Sequence, residues 1–187
     1  NIQAGLNSSA YKDYLSSGLK QFLPSAPNLP HMEAIGDILT QYDIVALQEL
    51  DSGSHRSGKL NQLTHLAEHG RFEFWHQQLN RNFGRFGQYS NGLLSRFHPY
   101  GVEDHRLPGL AGRGAIICRY GPPEQRLVVC CAHLALSEKA RFKQLEYLRS
   151  QLQEEKHLII MGDMNCLLSE LDQTPLASLA LETAKLP

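Results

Sequence analysis

No apolar stretch in the sequence approaches the roughly 18 residues that a membrane-spanning helix needs, so no membrane span is expected. Charge of one sign is not in excess. The formal net charge is -1, with nine histidines, and the pI is near 6.8. That balance gives no electrostatic reason to expect a dedicated nucleic-acid binder, although a local basic patch is compatible with a neutral total. Cysteine is sparse, and none of Cys118, Cys130, Cys131 and Cys166 forms a CxxC pair, which argues against a zinc knuckle or a thioredoxin-type site. All four are expected to be reduced and mostly buried. Cys130 and Cys131 should sit on opposite faces of one strand, and such thiols suit a cytoplasmic location. Internal repeats, low-complexity tracts and a second-domain boundary are also missing. No targeting segment is visible, but the chain opens at Asn1 rather than Met, which leaves a removed leader open.

What is present is an ordinary globular composition. Hydrophobic residues make up 42% and charged residues 20% of 187 residues, enough for one domain with a substantial core. A short helix is expected around 11–22, followed by the breaker-rich stretch from Pro24 to Pro30. The spacing of Met32, Ile35, Ile38 and Leu39 predicts a helix over 31–41, and Leu60, Leu63, Leu66 and Ala67 predict another over 59–69, stopped by Gly70. Apolar runs predict strands over 44–47, 72–79, 90–96, 112–120, 126–132 and 157–161. The stretch 80–88, with Arg81 and Arg85, reads as a loop, and Gly121-Pro122-Pro123-Glu124 as a hairpin connection. Ser137 stands where it can cap a helix over 138–153 that carries Leu145, Leu148 and Leu152. Helices between strands, plus a hairpin, indicate an α/β protein with mixed sheets.

Three of the apolar runs end in polar residues, at the strand termini where open α/β sheets place ligands. Glu49 follows Ile44–Leu47 and reads either as a hard-cation ligand or as a surface residue closing the strand. Asp163 and Asn165 follow Ile159-Ile160-Met161. Their spacing suits a shared site, and Gly162 allows close approach, yet Gly, Asp and Asn also make ordinary turns. His133 ends the run from Leu127 and reads either as a donor to phosphate or as a satisfied core histidine. Taken together, Glu, His and Asp-x-Asn at three strand ends, joined by Asn1, suit Mg²⁺. That ion takes few protein ligands and fills its shell with water and substrate phosphate.

Five segments in this order carry a specific resemblance: Asn1-Ile2-Gln3, Leu47-Gln48-Glu49, the run Ser90-Asn91-Gly92-Leu93-Leu94-Ser95-Arg96, Ala132-His133-Leu134, and Gly162-Asp163-Met164-Asn165. The chain resembles the endonuclease/exonuclease/phosphatase superfamily, which includes deoxyribonuclease I and exonuclease III, and most resembles its bacterial stand-alone hydrolases. The resemblance implies a single four-layer α/β/β/α sandwich of two mixed sheets and a Mg²⁺-dependent phosphoesterase, with Mn²⁺ as a substitute ion. It implies that Asn1 and Glu49 hold the metal, that Asp163 orients or deprotonates the attacking water, that Asn165 binds the scissile phosphate, and that His133 donates to it. Asn91 would help line the pocket.

One departure stands out. The superfamily's closing Ser-Asp-His does not follow Asp163, and Asp104-His105, the only Asp-His dipeptide, lies mid-chain. The expectation is therefore of a domain lacking that segment and the start of its first strand. Arg81 and Arg85, with Arg56 and Lys59, offer phosphate contacts to nucleic acid or a lipid headgroup, or are plain solvated charges. The neutral total favours a small phosphodiester over long duplex DNA, and a monomer is expected. The alternative is an inactive domain of the same fold serving as a binding module.

Overall fold

The computed structural model describes residues 1–2, 28–84, 87–109 and 111–184; the helix expected around 11–22 lies outside them. The first described helix, α1 (Leu29–Leu39), starts where Asn28 accepts a hydrogen bond from the His31 N–H, with Pro30 in the first turn, where no backbone donor is needed. It buries Met32, Gly36 and Leu39, while Ile38 faces solvent. The inward stripe thus runs through Gly36, which admits the ring of His69, instead of through Ile38. Helix α2 (Gln62–Gly70) is capped by Asn61, which accepts from Thr64 N–H, and buries Leu63, Leu66 and Ala67. Its left-handed C-terminal residue is Arg71; Gly70, expected as the stop, is the last helical residue and lies against Phe72. Helix α3 (Glu138–Leu152) starts after Ser137, whose side chain makes no capping bond, although its carbonyl accepts from Ala140 and Arg141.

The strands are β1 (Ile44–Asp51), β2 (Phe74–Asn82), β3 (Gln88–Ser95), β4 (Gly101–Arg106), β5 (Gly114–Tyr120), β6 (Leu127–His133) and β7 (His157–Asp163). They form a three-stranded sheet of order β1-β3-β2 and a four-stranded sheet of order β4-β5-β6-β7. Pairing is antiparallel except between β6 and β7, which are parallel and joined through α3. Arg81 lies on β2, not in the loop expected over 80–88; Arg85 lies outside the described residues. Strand β4 had no counterpart in the sequence reading.

Three apolar clusters make four layers. Met32, Leu39, Leu47, Leu63, Leu66 and Leu94 pack α1 and α2 on the smaller sheet. Leu93, Ile116, Cys118, Val129 and Cys131 fill the space between the sheets. Ile117, Val128, Cys130, Leu145, Leu148 and Leu152 pack α3 on the larger sheet. The architecture is the α/β sandwich expected. Among the described residues, no helix is long and apolar enough to cross a membrane.

Alternation along β6 puts Cys130 in the α3 layer and Cys131 between the sheets. Cys118, Cys130 and Cys131 are fully buried and Cys166 is half-buried; all are free thiols. Burial pushes Cys118 up to about 11 and Cys131 up to about 12, and it raises Cys130 as well. A disulfide reagent at pH 8 should therefore label Cys166 in the folded protein and the other three only after unfolding. Rapid labelling of more than one thiol under native conditions would contradict this packing.

Candidate active site

The site grows from the parallel pairing of β6 and β7. In this register His133 stands opposite Asp163 and Ala132 opposite Gly162. The Leu134 N–H donates to the Asp163 carbonyl at 2.9 Å, carrying the pairing one step past the strand ends. Gly162 has φ +129, and a Cβ there would run into the Ala132 carbonyl oxygen, so no other residue fits that backbone. The two side chains that end these strands are thereby held side by side, with His133 Nε2 at 3.8 Å from Asp163 Oδ2.

Asp163 serves two purposes. Its Oδ1 accepts the Asn165 N–H at 3.1 Å, closing a turn in which Asn165 adopts a left-handed φ of 50°. Its Oδ2 accepts Asn1 Nδ2 at 2.8 Å and faces His133. Asn165 Nδ2 donates to the Leu134 carbonyl at 2.9 Å, which ties the loop after β7 to the loop after β6. The turn reading of Asp163 is seen at Oδ1, while Oδ2 faces Asn1 and His133.

Asn1 runs alongside β1: the Ile2 N–H donates to the Gln48 carbonyl at 3.0 Å, and the Asn1 main-chain nitrogen lies 3.4 Å from Gln48 Oε1. Asn1, Gln48, the run from Gly162 to Cys166, and Leu171 line a cavity of about 380 Å³, a volume suited to a small ligand. Glu49 follows Gln48 but is not part of this wall. Strand β1 does not stop at Leu47, as expected, but continues through a bulge to Asp51, with Glu49 at a left-handed φ of 60°. Glu49 is half-buried and makes no hydrogen bond or ion pair among the described residues. The next acid, Asp51, is fully buried and spent on structure: its carboxylate accepts from Gly53 N–H, Ser54 N–H and the Ser54 and Ser57 hydroxyls. Among the described residues, no three His, Cys, Asp or Glu side chains cluster as a metal cage.

Two other expected residues lie elsewhere. Asn91 is fully buried between the sheets and does not line the cavity. Arg81 donates from Nη2 to the Ala111 carbonyl at 2.8 Å, and its guanidinium lies 5.7 Å from the centre of the Phe83 ring. Arg113 was not singled out from the sequence. Its Nη1 lies 3.4 Å from His133 Nδ1. Nothing in the sequence signalled it: Arg113 precedes Gly114, and only the β5–β6 register pairs Gly114 with His133.

Arg113 decides the chemistry of the imidazole. A guanidinium has only N–H donors, so Nδ1 accepts and the ring proton resides on Nε2, toward Asp163. Burial lowers the His133 pKa to about 4, helped by the Arg113 charge and opposed by Asp163. Burial also pushes Asp163 up, but the Asn1 amide, the Asn165 N–H and the His133 charge prevail, holding it below its ordinary value. At neutral pH the pair is a neutral imidazole beside an ionised carboxylate.

Residues 1–183 match the Endonuclease/Exonuclease/phosphatase family. A protein of that family from Leptotrichia buccalis is 15% identical, with a TM-score of 0.62 over 80% of this chain and 68% of that chain. The human Nocturnin catalytic domain with bound sulfate anion is 19% identical, with a TM-score of 0.58 over 77% of this chain and 61% of that chain. D. rerio TDP2 complexed with single strand DNA product is 19% identical, with a TM-score of 0.51 over 80% of this chain and 57% of that chain. At such identities the likeness is one of fold, and the chain spans less than two thirds of the last two. No curated protein matches it.

The neutral His133 has a consequence for stability. The unfolded chain takes up a proton near 6.5, whereas the folded imidazole stays neutral until about pH 4. Between those values the unfolded state binds more protons, so stability falls as the pH is lowered and the loss is complete below about 4. It should amount to about 3 kcal/mol. Asp163 adds its own loss below this window, because its contribution disappears only as the pH falls from 3.8 toward its lower folded value. Urea titrations from pH 4 to 7 should give a slope in wild type that His133→Gln lacks; equal slopes would refute the buried neutral imidazole.

Proposed function

Because the chain belongs to the endonuclease/exonuclease/phosphatase family, we propose that it is a phosphoesterase that hydrolyses a phosphodiester with water as the nucleophile, supported by Mg²⁺ or Mn²⁺. The observation that carries this reading is the bonded group of Asn1, Asp163 and Asn165, with His133 Nε2 3.8 Å from Asp163, beside a cavity of about 380 Å³. The donor set fits a hard cation. Glu49 is a half-buried carboxylate with no other partner among the described residues. Asn1, whose Nδ2 donates to Asp163, carries an amide oxygen of the hard type that such an ion takes. One carboxylate and one amide, completed by water and substrate phosphate, is a usual Mg²⁺ environment. When bound, such an ion offsets phosphate charge and acidifies water.

The chain's own groups have complementary tasks. Asp163, ionised through the working pH range, orients the attacking water through Oδ2 and accepts its proton as the oxygen–phosphorus bond forms and the ester bond breaks. His133, neutral with its proton on Nε2, donates to a non-bridging phosphoryl oxygen where charge builds up. Asn165 uses one N–H for Leu134 and has a second for the same phosphate. The leaving oxygen takes a proton from solvent and Asp163 returns its own to solvent, so the products are a phosphomonoester and an alcohol. Nucleic acid and lipid headgroups both carry such diesters, and Arg81 on β2 offers charge to either.

Two measurements test the scheme. Asp163→Asn keeps the Oδ1 acceptor for Asn165, so its stability should stay within about 1 kcal/mol of wild type, while kcat on bis-p-nitrophenyl phosphate with Mg²⁺ falls 10²–10⁴-fold, about what loss of a general base costs. A variant retaining more than about a tenth of wild-type kcat would show that another group activates water. Calorimetric titration of wild type and Glu49→Ala with Mn²⁺ should show binding in the first and none in the second. Equal binding by both would remove Glu49 from the metal site, and no turnover of any phosphoester by wild type would favour a binding module.

A further inference from the structure

At the end of the inter-sheet layer nearest the site, amides cross from one sheet to the other. Asn91 on β3 donates from Nδ2 to the Gly114 carbonyl at 3.0 Å and toward Gln78 Oε1 at 3.4 Å. Gln78 on β2 donates from Nε2 to the carbonyls of Ala115 and His105, both at 3.1 Å. Gln78 and Asn91 are 4% and 0% exposed. Side chains of the smaller sheet thus bond to the backbone of β4 and β5 in the larger one. The fit admits nothing extra, since a Cβ on Gly114 would run into Gln78 Oε1 and Asn80 Oδ1.

This arrangement is not optimal for stability alone. Asn91 Oδ1 is buried and has no hydrogen-bond partner among the described residues, and an unsatisfied buried acceptor is destabilising. An apolar pair of similar shape would fill the same space without that loss. What the amides gain is position. They hold the start of β5 at Gly114 and Ala115, next to Arg113, whose carbonyl accepts the Leu107 N–H at 3.2 Å and whose guanidinium meets His133 Nδ1. Gly114 is also the register partner of His133.

We infer that Asn91 and Gln78 form an inter-sheet clamp that positions Arg113 against His133 and so fixes the imidazole as its Nε2–H tautomer, making Asn91 a positioning residue for the proposed reaction and not a substrate contact. The clamp joins the sheet that carries Glu49 to the sheet that carries His133 and Asp163 at the end where they must act together. The inference rests on the phosphoesterase reading only for its catalytic consequence. The tautomer itself needs no substrate.

The test is Asn91→Leu, which keeps the shape and removes the cross-sheet donor, with Leu94→Ala as control. Leu94 is next but two on β3 and faces the helices, so its loss lowers stability without touching the clamp. Nitrogen NMR of His133 should show one tautomer in wild type and Leu94→Ala, and a mixture in Asn91→Leu and Arg113→Gln. On bis-p-nitrophenyl phosphate with Mg²⁺, Asn91→Leu should lose about ten- to a hundredfold in kcat, the cost of a small misplacement of a catalytic group, with KM within about threefold. If Asn91→Leu does not fold, Gln78→Met, which removes the other arm, is read in the same way. An unchanged His133 spectrum in a folded clamp variant overturns the inference, and so does an equal change in Leu94→Ala. Absence of turnover in wild type strikes the phosphoesterase reading alone and leaves the NMR comparison decisive for the clamp.

Discussion

The parallel pairing of β6 with β7 is the constraint on which the rest of the site depends. Parallel neighbours direct register partners to the same face, so opposing His133 with Asp163 puts their side chains together without any loop having to find its place. The pairing is rigid because Val128 to Ala132 is buried throughout. It is also unforgiving, because the bare Cα of Gly162 is what lets the last pair before the site close against Ala132. The remaining components attach to this pair: Asn1 and Asn165 to the carboxylate, Arg113 to the imidazole.

The two groups are set in different charge states by their neighbours. Burial disfavours charge on both, and for His133 the adjacent guanidinium adds to that effect. For Asp163, donors on both oxygens overcome burial. Since the imidazole is nearly sealed from water, each hydrogen bond around it counts for more than it would at the surface. Misdirecting one donor would alter the proton's location, not merely loosen a contact.

Much of the layering was legible in the sequence, because it follows from period and burial. The stripes of α2 and α3 and the buried runs of β1, β5 and β6 are written in Leu, Ile, Val and Cys at regular spacing. Strand β4 was not legible, since Gly-Val-Glu-Asp-His-Arg has one apolar member and its carboxylates face solvent. The site was legible where it sits at strand ends, as with His133 and Asp163. It was hidden where it depends on pairing across the fold. Arg113 reaches His133 only through the β5–β6 register, and the bulge that turns β1 at Glu49 has no glycine to announce it. The family resemblance makes Asn91 a pocket residue; its burial follows from the face of β3 on which it falls, and its partners come from β2 and β5.

The left-handed backbone divides by location. Glu49, next to Gln48, and Asn165 hold that conformation beside the candidate site, and Lys59, Arg71 and Ala180 hold it elsewhere. A side chain with a Cβ is strained there, and proteins keep such strain where function requires it. At Glu49 and Asn165 relief by glycine would cost the carboxylate or the amide. At Arg71 and Ala180 it would remove no group that the site uses. Attempts to make the protein hardier thus have a natural geography: Arg71, at the end of α2, and Ala180 can be relaxed, whereas the two tense positions next to Gln48 and near Asp163 are the ones to leave alone.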